Sequence, residues 1–169
     1  MALVVLIFII KKNYRYPTMI CVKGGAETMS ESFRFSVRVY YEDTDASGVV
    51  YHATYLHYAE RARTEFLRTK GIEQRVMRKV ENFAFMVRRC TVDYRAPALL
   101  DDALEVLTRF TFARGAVLKV VQEVIRRGES KPLVVIDLVI AGVNERGRPV
   151  RLPQKICDMV IRANQSKEL

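Results

Sequence analysis

From residue 33 the chain alternates, with Phe33, Phe35, Val37, Val39 and Tyr41 at one set of positions and Arg34, Ser36, Arg38, Tyr40 and Glu42 at the other. A period of two predicts a strand with one buried face, ending near Asp43. The stretch D-T-D-A-S-G, residues 43–48, is turn chemistry: short polar side chains bond nearby backbone, and a glycine takes an unusual dihedral. After it the period changes. Tyr55, Ala59, Ala62 and Phe66 recur at i, i+4, i+7 and i+11, with Glu60, Arg61, Arg63, Glu65 and Arg68 on other faces, which predicts a helix over 53–70. Gly71 is placed to end it. Ala59 and Ala62 leave little bulk on the buried stripe, so this helix can lie close to a sheet.

Residues 72–80 read as a short helix or loop, followed by four segments with strand character at 82–94, 102–113, 116–127 and 132–143. Their punctuation is short: Ala96-Pro97 with Asp101-Asp102, then Arg114-Gly115, then Gly128 to Pro132. Connections of this length imply antiparallel neighbours. The last segment leaves almost no polar face, as for a strand covered on both sides, by a helix on one and a second subunit on the other. Residues 153–162 are predicted to form a terminal helix. The fold class that follows is α+β, an antiparallel sheet of about five strands wrapped around one long central helix.

The boundaries expected are an N-terminal extension at 1–32, one domain at 33–158 and a C-terminal tail at 159–169. The apolar run at the N-terminus is far short of the ~20 residues of a membrane-crossing helix. Its basic residues, Lys11 and Lys12, follow the run where a signal peptide would have them precede it. Met29 is the expected true start, with residues 1–28 upstream of the functional chain.

A net charge of +9 favours anionic partners such as phosphorylated cofactors without choosing among them, and the basic residues are too scattered for a nucleic-acid stripe. The three cysteines, Cys21, Cys90 and Cys157, lie far apart with no C-x-x-C, which suits a reducing cytoplasm. No metal-ligand spacing is present. Candidate chemistry concentrates at the junction between the first strand and the helix, where Asp43, Asp45, His52 and His57 surround Gly48. Asp43 reads as a turn former. His57 lies five residues past His52, about 140° around a helix, so the two histidines are not expected to share a site. Tyr51, Tyr55 and Tyr58 suit an acyl pocket or a core equally, and Arg61 and Arg63 with Glu60 and Glu65 read as a solvated or subunit-facing charge network.

The run from Val37 to Glu65, V-R-V-Y-Y-E-D-T-D-A-S-G-V-V-Y-H-A-T-Y-L-H-Y-A-E-R-A-R-T-E, resembles the signature of hotdog-fold acyl-CoA thioesterases of the 4-hydroxybenzoyl-CoA thioesterase type. It is most similar to their YbgC branch, associated with the bacterial Tol-Pal system. The likeness continues through T-V-D-Y-R-A-P-A-L-L-D-D, Thr91 to Asp102, and departs at Ser47, where members usually carry a second glycine. The resemblance implies cytoplasmic hydrolysis of acyl thioesters without a cofactor. The implied substrates are short-chain or aromatic acyl-CoA, with acyl carrier protein as a related donor, and the implied assembly is a homodimer or homotetramer with its sites at the subunit interface. By position Asp45 matches the essential carboxylate and His52 a site residue.

The residues suit that chemistry. A helix start exposes N–H groups with no intrahelical partner, an oxyanion site for a thioester carbonyl, and the expectation places the N–H groups of Tyr51 and His52 there. Gly48, Val49 and Tyr51 are the expected substrate-binding positions. A carboxylate with a reference pKa of about 3.9 is a weak base, so Asp45 acts either as nucleophile or as a base made stronger by burial, with His52 orienting and handling protons. For the phosphates of coenzyme A, Arg88, Arg89, Arg95, Arg126 and Arg127 are candidates by type. Two other readings are a non-catalytic partner of acyl carrier protein or of envelope assembly, and a hotdog dehydratase.

Overall fold

The computed structural model describes residues 32–165. The expectations about an extension and a start at Met29 therefore fall on residues outside that range. The elements run β1 (Phe33–Arg38), a single 3-10 turn (Tyr41–Asp43), α1 (Thr54–Thr69), α2 (Gln74–Val80), β2 (Ala84–Tyr94), β3 (Ala103–Arg114), β4 (Val117–Arg126), β5 (Pro132–Val143) and α3 (Gln154–Gln165). The five strands form one sheet in the order β1-β3-β4-β5-β2, every neighbouring pair antiparallel. The α+β arrangement expected of the pattern is present, with α1 packed on β1, β3 and β4.

The stripe that predicts α1 is the stripe that is buried: Tyr55, Ala59, Ala62 and Phe66 all face the core. The two alanines bring the helix close to the sheet, and Phe66 stacks on Phe110 of β3 with ring centroids 4.8 Å apart. Helix α1 ends as its glycine predicts. Gly71 takes φ +70, donates to Arg68 O at 2.9 Å, and lets Ile72 donate to Leu67 O at 2.9 Å, which satisfies two of the last carbonyls.

Two expectations need correction. Strand β1 stops at Arg38, because the chain tightens into the 3-10 turn and the Asp43 carboxylate accepts the Tyr40 N–H at 2.9 Å. Tyr41, expected on the buried face, is consequently 82% exposed. Within one chain, strand β5 is covered on its inner row, Val134, Ile136, Leu138 and Ile140, while Val135 and Val139 on the outer row, the face expected to meet a second subunit, are half-buried and Asp137 is exposed. The boundary expected after Asp158 falls inside α3, whose Met159 and Val160 are part of the core.

The two edges of the sheet differ. In β2 the register places Phe85, Val87, Cys90, Val92 and Tyr94 opposite Gly142, Ile140, Leu138, Ile136 and Val134, on the face that carries the core elsewhere in the sheet. Helix α1 does not cover this row fully: Val87 and Tyr94 are exposed and Cys90 is open to solvent.

Candidate active site

The junction after β1 is built by backbone pairing. Asp43 O accepts the Tyr51 N–H at 2.8 Å, Thr44 bridges to Val50, and Asp45 donates its N–H to Val49 O at 2.9 Å. The loop is closed by Gly48 N–H to Asp45 O at 2.9 Å, with Gly48 at φ +76, a turn ending in a left-handed glycine. Only that position needs a glycine, so the serine at 47 costs the loop nothing. Its N–H is instead held by Asp45 Oδ1 at 2.8 Å.

A second loop, 95–102, clasps this hairpin. Ala98 accepts the Val50 N–H at 2.9 Å through its carbonyl, and its own N–H donates to the Tyr55 hydroxyl at 2.9 Å. Val49 bridges to Leu99. The loop is fixed in turn by Asp102, whose carboxylate accepts the Leu99 N–H at 2.8 Å and Arg126 Nε at 2.9 Å, while Arg126 also donates to Pro97 O at 2.7 Å. Burial works to raise the Asp102 carboxyl, but the Leu99 N–H and Arg126 outweigh it and hold the group below the usual carboxylate range.

Asp43 and Asp45 divide the work. Asp43 is buried and spends its carboxylate and its carbonyl on the junction itself. Asp45 is exposed, and among the described residues the hydrogen bond to its side chain comes from Ser47, at Oδ1. The tyrosine expectation resolves in two ways. Tyr55 and Tyr58 are core residues, whereas Tyr51 is 46% exposed at the junction and its ring lies 4.3 Å from that of His52. Burial raises the phenols of Tyr55, Tyr58 and Tyr94, with Asp43 adding to the rise at Tyr58, so these three hold their protons at neutral pH. The Tyr58 hydroxyl sits close enough to Asp43 to feel its charge but makes no hydrogen bond of good geometry.

Helix α1 begins at Thr54 with Ala53 as N-cap, and no side chain caps it. The Tyr51 N–H, expected to face a substrate, is already given to Asp43 O. The N–H groups of His52 and Ala53 have no backbone acceptor among the described residues, so the open donors lie one residue further along. The other expected site residues take distinct places: His52 and Gly48 are exposed, Val49 is half-buried, and His57 is exposed on α1 beyond the junction. Tyr94 was not anticipated. Its hydroxyl donates to His52 O at 2.9 Å, and its ring packs on Tyr55 at 5.9 Å, tying β2 to the helix start. Its presence in the V-D-Y-R-A-P segment was the one available signal.

Of the five candidate arginines, Arg95 pairs with Asp93, Arg126 with Asp102, and Arg127 with Glu105. Arg88 and Arg89 make no ion pair among the described residues, and a bulge in β2 falls between Val87 and Arg89. Among the described residues no three His, Cys, Asp or Glu side chains are gathered for a metal ion.

A family model described as the thioesterase-like superfamily matches residues 39–160, which includes the whole junction and the loop that clasps it. The chain belongs to this thioesterase-like family. Relatives include the acyl-CoA thioester hydrolase YbgC of Escherichia coli, 46% identical over 125 residues, covering 73% of this chain and 92% of that protein. The acyl-CoA thioesterase YbgC of Haemophilus influenzae is 42% identical over 130 residues, covering 76% and 93%. Among solved structures, a probable thioesterase from Bartonella henselae superposes with a TM-score of 0.67 at 42% identity, covering 71% of this chain and 98% of that one. The hotdog thioesterase fold is thus shared along the described domain.

Proposed function

We propose that this thioesterase-family chain hydrolyses acyl-CoA thioesters at the start of α1. The N–H groups of His52 and Ala53 receive the thioester carbonyl oxygen, where charge develops as the carbonyl carbon becomes tetrahedral. Asp45 supplies the other half of the reaction. Its free carboxylate oxygen either attacks the carbonyl carbon or takes a proton from the water that does. In both routes the carbon–sulfur bond breaks, the thiolate of coenzyme A leaves, and water supplies the oxygen of the released acid. His52 and Tyr51 line the approach, and Gly48 and Val49 shape it.

The observation that supports this reading most is the coincidence of two groups open to a ligand on one backbone-paired junction. One is an exposed carboxylate on the Gly48 turn, and the other is a pair of helix-start amides without a backbone acceptor. The YbgC relatives, at 46% and 42% identity, support acyl-CoA as the substrate. Short-chain and aromatic acyl groups are the first to assay, with acyl carrier protein thioesters beside them. A homodimer formed through β2 is supported by this eleven-residue edge strand, which leaves Met86, Val87 and Tyr94 exposed and its outer backbone unpaired. Free thiols at Cys90 and Cys157 suit the cytoplasm.

The test is release of free thiol from acyl-CoA by the wild-type chain and by Asp45→Asn, which keeps the shape and removes the charge. The expected fall in kcat/KM is about 10²–10⁴-fold. Hydrolysis near the original rate in the variant removes Asp45 from the mechanism. A wild type that binds acyl-CoA without releasing thiol favours a binding protein.

A further inference from the structure

The arginine at position 63 does not join the surface network its neighbours form. Glu65 pairs with Arg68, and Glu60 spends a carboxylate oxygen on Thr64 Oγ1 at 2.7 Å. Arg63 turns inward and donates Nη1 to Gln122 Oε1 at 2.7 Å. Gln122 is fully buried in β4, and its amide is held in one orientation because Nε2 donates to Ala59 O and Thr108 Oγ1, both at 2.9 Å. The result is a rigid bracket that holds a half-buried guanidinium by a single hydrogen bond. Among the described residues no carboxylate lies within ion-pair distance of it. Burial pulls the group below the ordinary arginine range, with Glu60 and Cys90 acting the other way.

A guanidinium has five N–H donors and is costly to hold away from water with most of them unused. Beside this one is a cavity of about 140 Å³ with an apolar wall of Leu67, Phe85, Val87, Phe110, Leu118 and Ile140 and a polar side of Arg63, Glu60, Thr64 and Gln74, in which Thr64 bonds to both Glu60 and Gln74 and leaves Arg63 to face the space. An apolar cavity of roughly 150 Å³ is enough to hold a benzene ring. The space therefore fits the far end of an acyl group and is too small for coenzyme A itself. The inner row of β2 runs beside it, from Tyr94 at the start of α1 through Cys90 to Val87 and Phe85 at the cavity.

We infer that Arg63 is a specificity residue, held by Gln122 so that its free donors meet an acceptor oxygen (hydroxyl, keto or carboxylate) carried on an otherwise apolar acyl group in this cavity. The inference rests on the thioesterase reading above and names what that reading leaves open, the chemistry at the remote end of the substrate. Arg63 lies nine residues beyond Thr54, about 14 Å along the axis at ~1.5 Å per residue, so the acceptor belongs well away from the thioester. Preference for it should therefore grow with chain length.

The experiment compares kcat/KM for matched pairs of substrates, plain acyl-CoA against its ω-hydroxy derivative, from butanoyl to decanoyl, in wild type, Arg63→Met and Arg63→Lys. The wild type is expected to favour the hydroxylated member at the longer lengths. Arg63→Met, which keeps the apolar stem, is expected to lower that preference about 10- to 100-fold while changing the plain substrate less than about threefold, the scale of a lost hydrogen bond to a charged group. Arg63→Lys keeps the charge without the fork and is expected to show a smaller drop of the same sign, which keeps the test decisive if the methionine variant does not fold. No preference in the wild type, an equal loss on both substrates, or dissociation of an oligomer in the variants overturns the inference, the last because a partner's carboxylate would then be the missing acceptor. Hydrolysis of neither substrate by the wild type would instead overturn the thioesterase reading.

Discussion

The two ends of α1 are finished differently. At its C-terminal end Gly71 and Ile72 return their N–H groups to Arg68 and Leu67, Thr69 Oγ1 donates to Phe66 O at 2.7 Å, and Phe66 packs between Phe33 and Phe110. Backbone groups there find partners within a turn, and the rings of Phe66 and Phe110 are buried. At its N-terminal end no side chain caps the helix, the amides of His52 and Ala53 stay open, and an exposed carboxylate stands on the adjoining hairpin. A cap at that end would stabilise the helix by roughly 1 kcal/mol. The fold forgoes it and instead spends buried Asp43, the Ala98 clasp and the Tyr94 hydroxyl on holding the open end in position. The difference separates a region that supplies stability from one in which satisfied neighbours support groups open to a ligand.

Substitutions at the two ends should therefore fail in different ways. The largest effect belongs to Asp45→Asn, a loss of about 10²–10⁴-fold in thiol release with an unchanged melting temperature, because the exposed carboxylate contributes chemistry and little packing. An equally large fall in melting temperature would erase the distinction. Next is Phe66→Ala, which should destabilise the chain by about 3–5 kcal/mol in urea unfolding while the fraction that remains folded keeps its kcat/KM. A smaller effect is expected at the clasp. The carboxyl of Asp102 is held low in the folded state, so its contribution is present at neutral pH and is lost as pH falls below about 4, through the folded pKa. Asp102→Asn should flatten acid unfolding in that range, measured by circular dichroism against pH. The smallest is Tyr58→Phe. The hydroxyl it removes is buried without a hydrogen bond, so stability should stay within about 1 kcal/mol of the wild type. A larger loss would mean that the hydroxyl bonds to Asp43 in solution.

The same contrast explains what could be read along the chain. The closed end of α1 is written locally: the stripe from Tyr55 to Phe66, the glycine at 71 and the punctuation of the four later strands each carry a period or a turn signal, and β3, β4 and β5 fall within a residue of their predicted ends. The open end is written partly in contacts between distant residues. Tyr94 reaches His52 across 42 positions and Ala98 reaches Tyr55 across 43, and no periodicity announces either. The occupied Tyr51 N–H is of the same kind, since it depends on the 3-10 turn that ends β1 early. Arg63 is the clearest case. As one charge among several on a helix surface it reads as solvated or subunit-facing, and only the buried amide of Gln122, 59 residues away, turns it inward.

The central claim, that one thioester is addressed by Asp45 and by the open amides of α1, is tested most directly by a crystal structure of Asp45→Asn with an acyl-CoA bound. The expected result is a thioester carbonyl oxygen about 2.7–3.1 Å from the nitrogen of His52 or Ala53, with the side chain at position 45 facing the carbonyl carbon, within one protomer or across a contact between two copies. An acyl-CoA bound with its thioester away from the start of α1 would contradict the account.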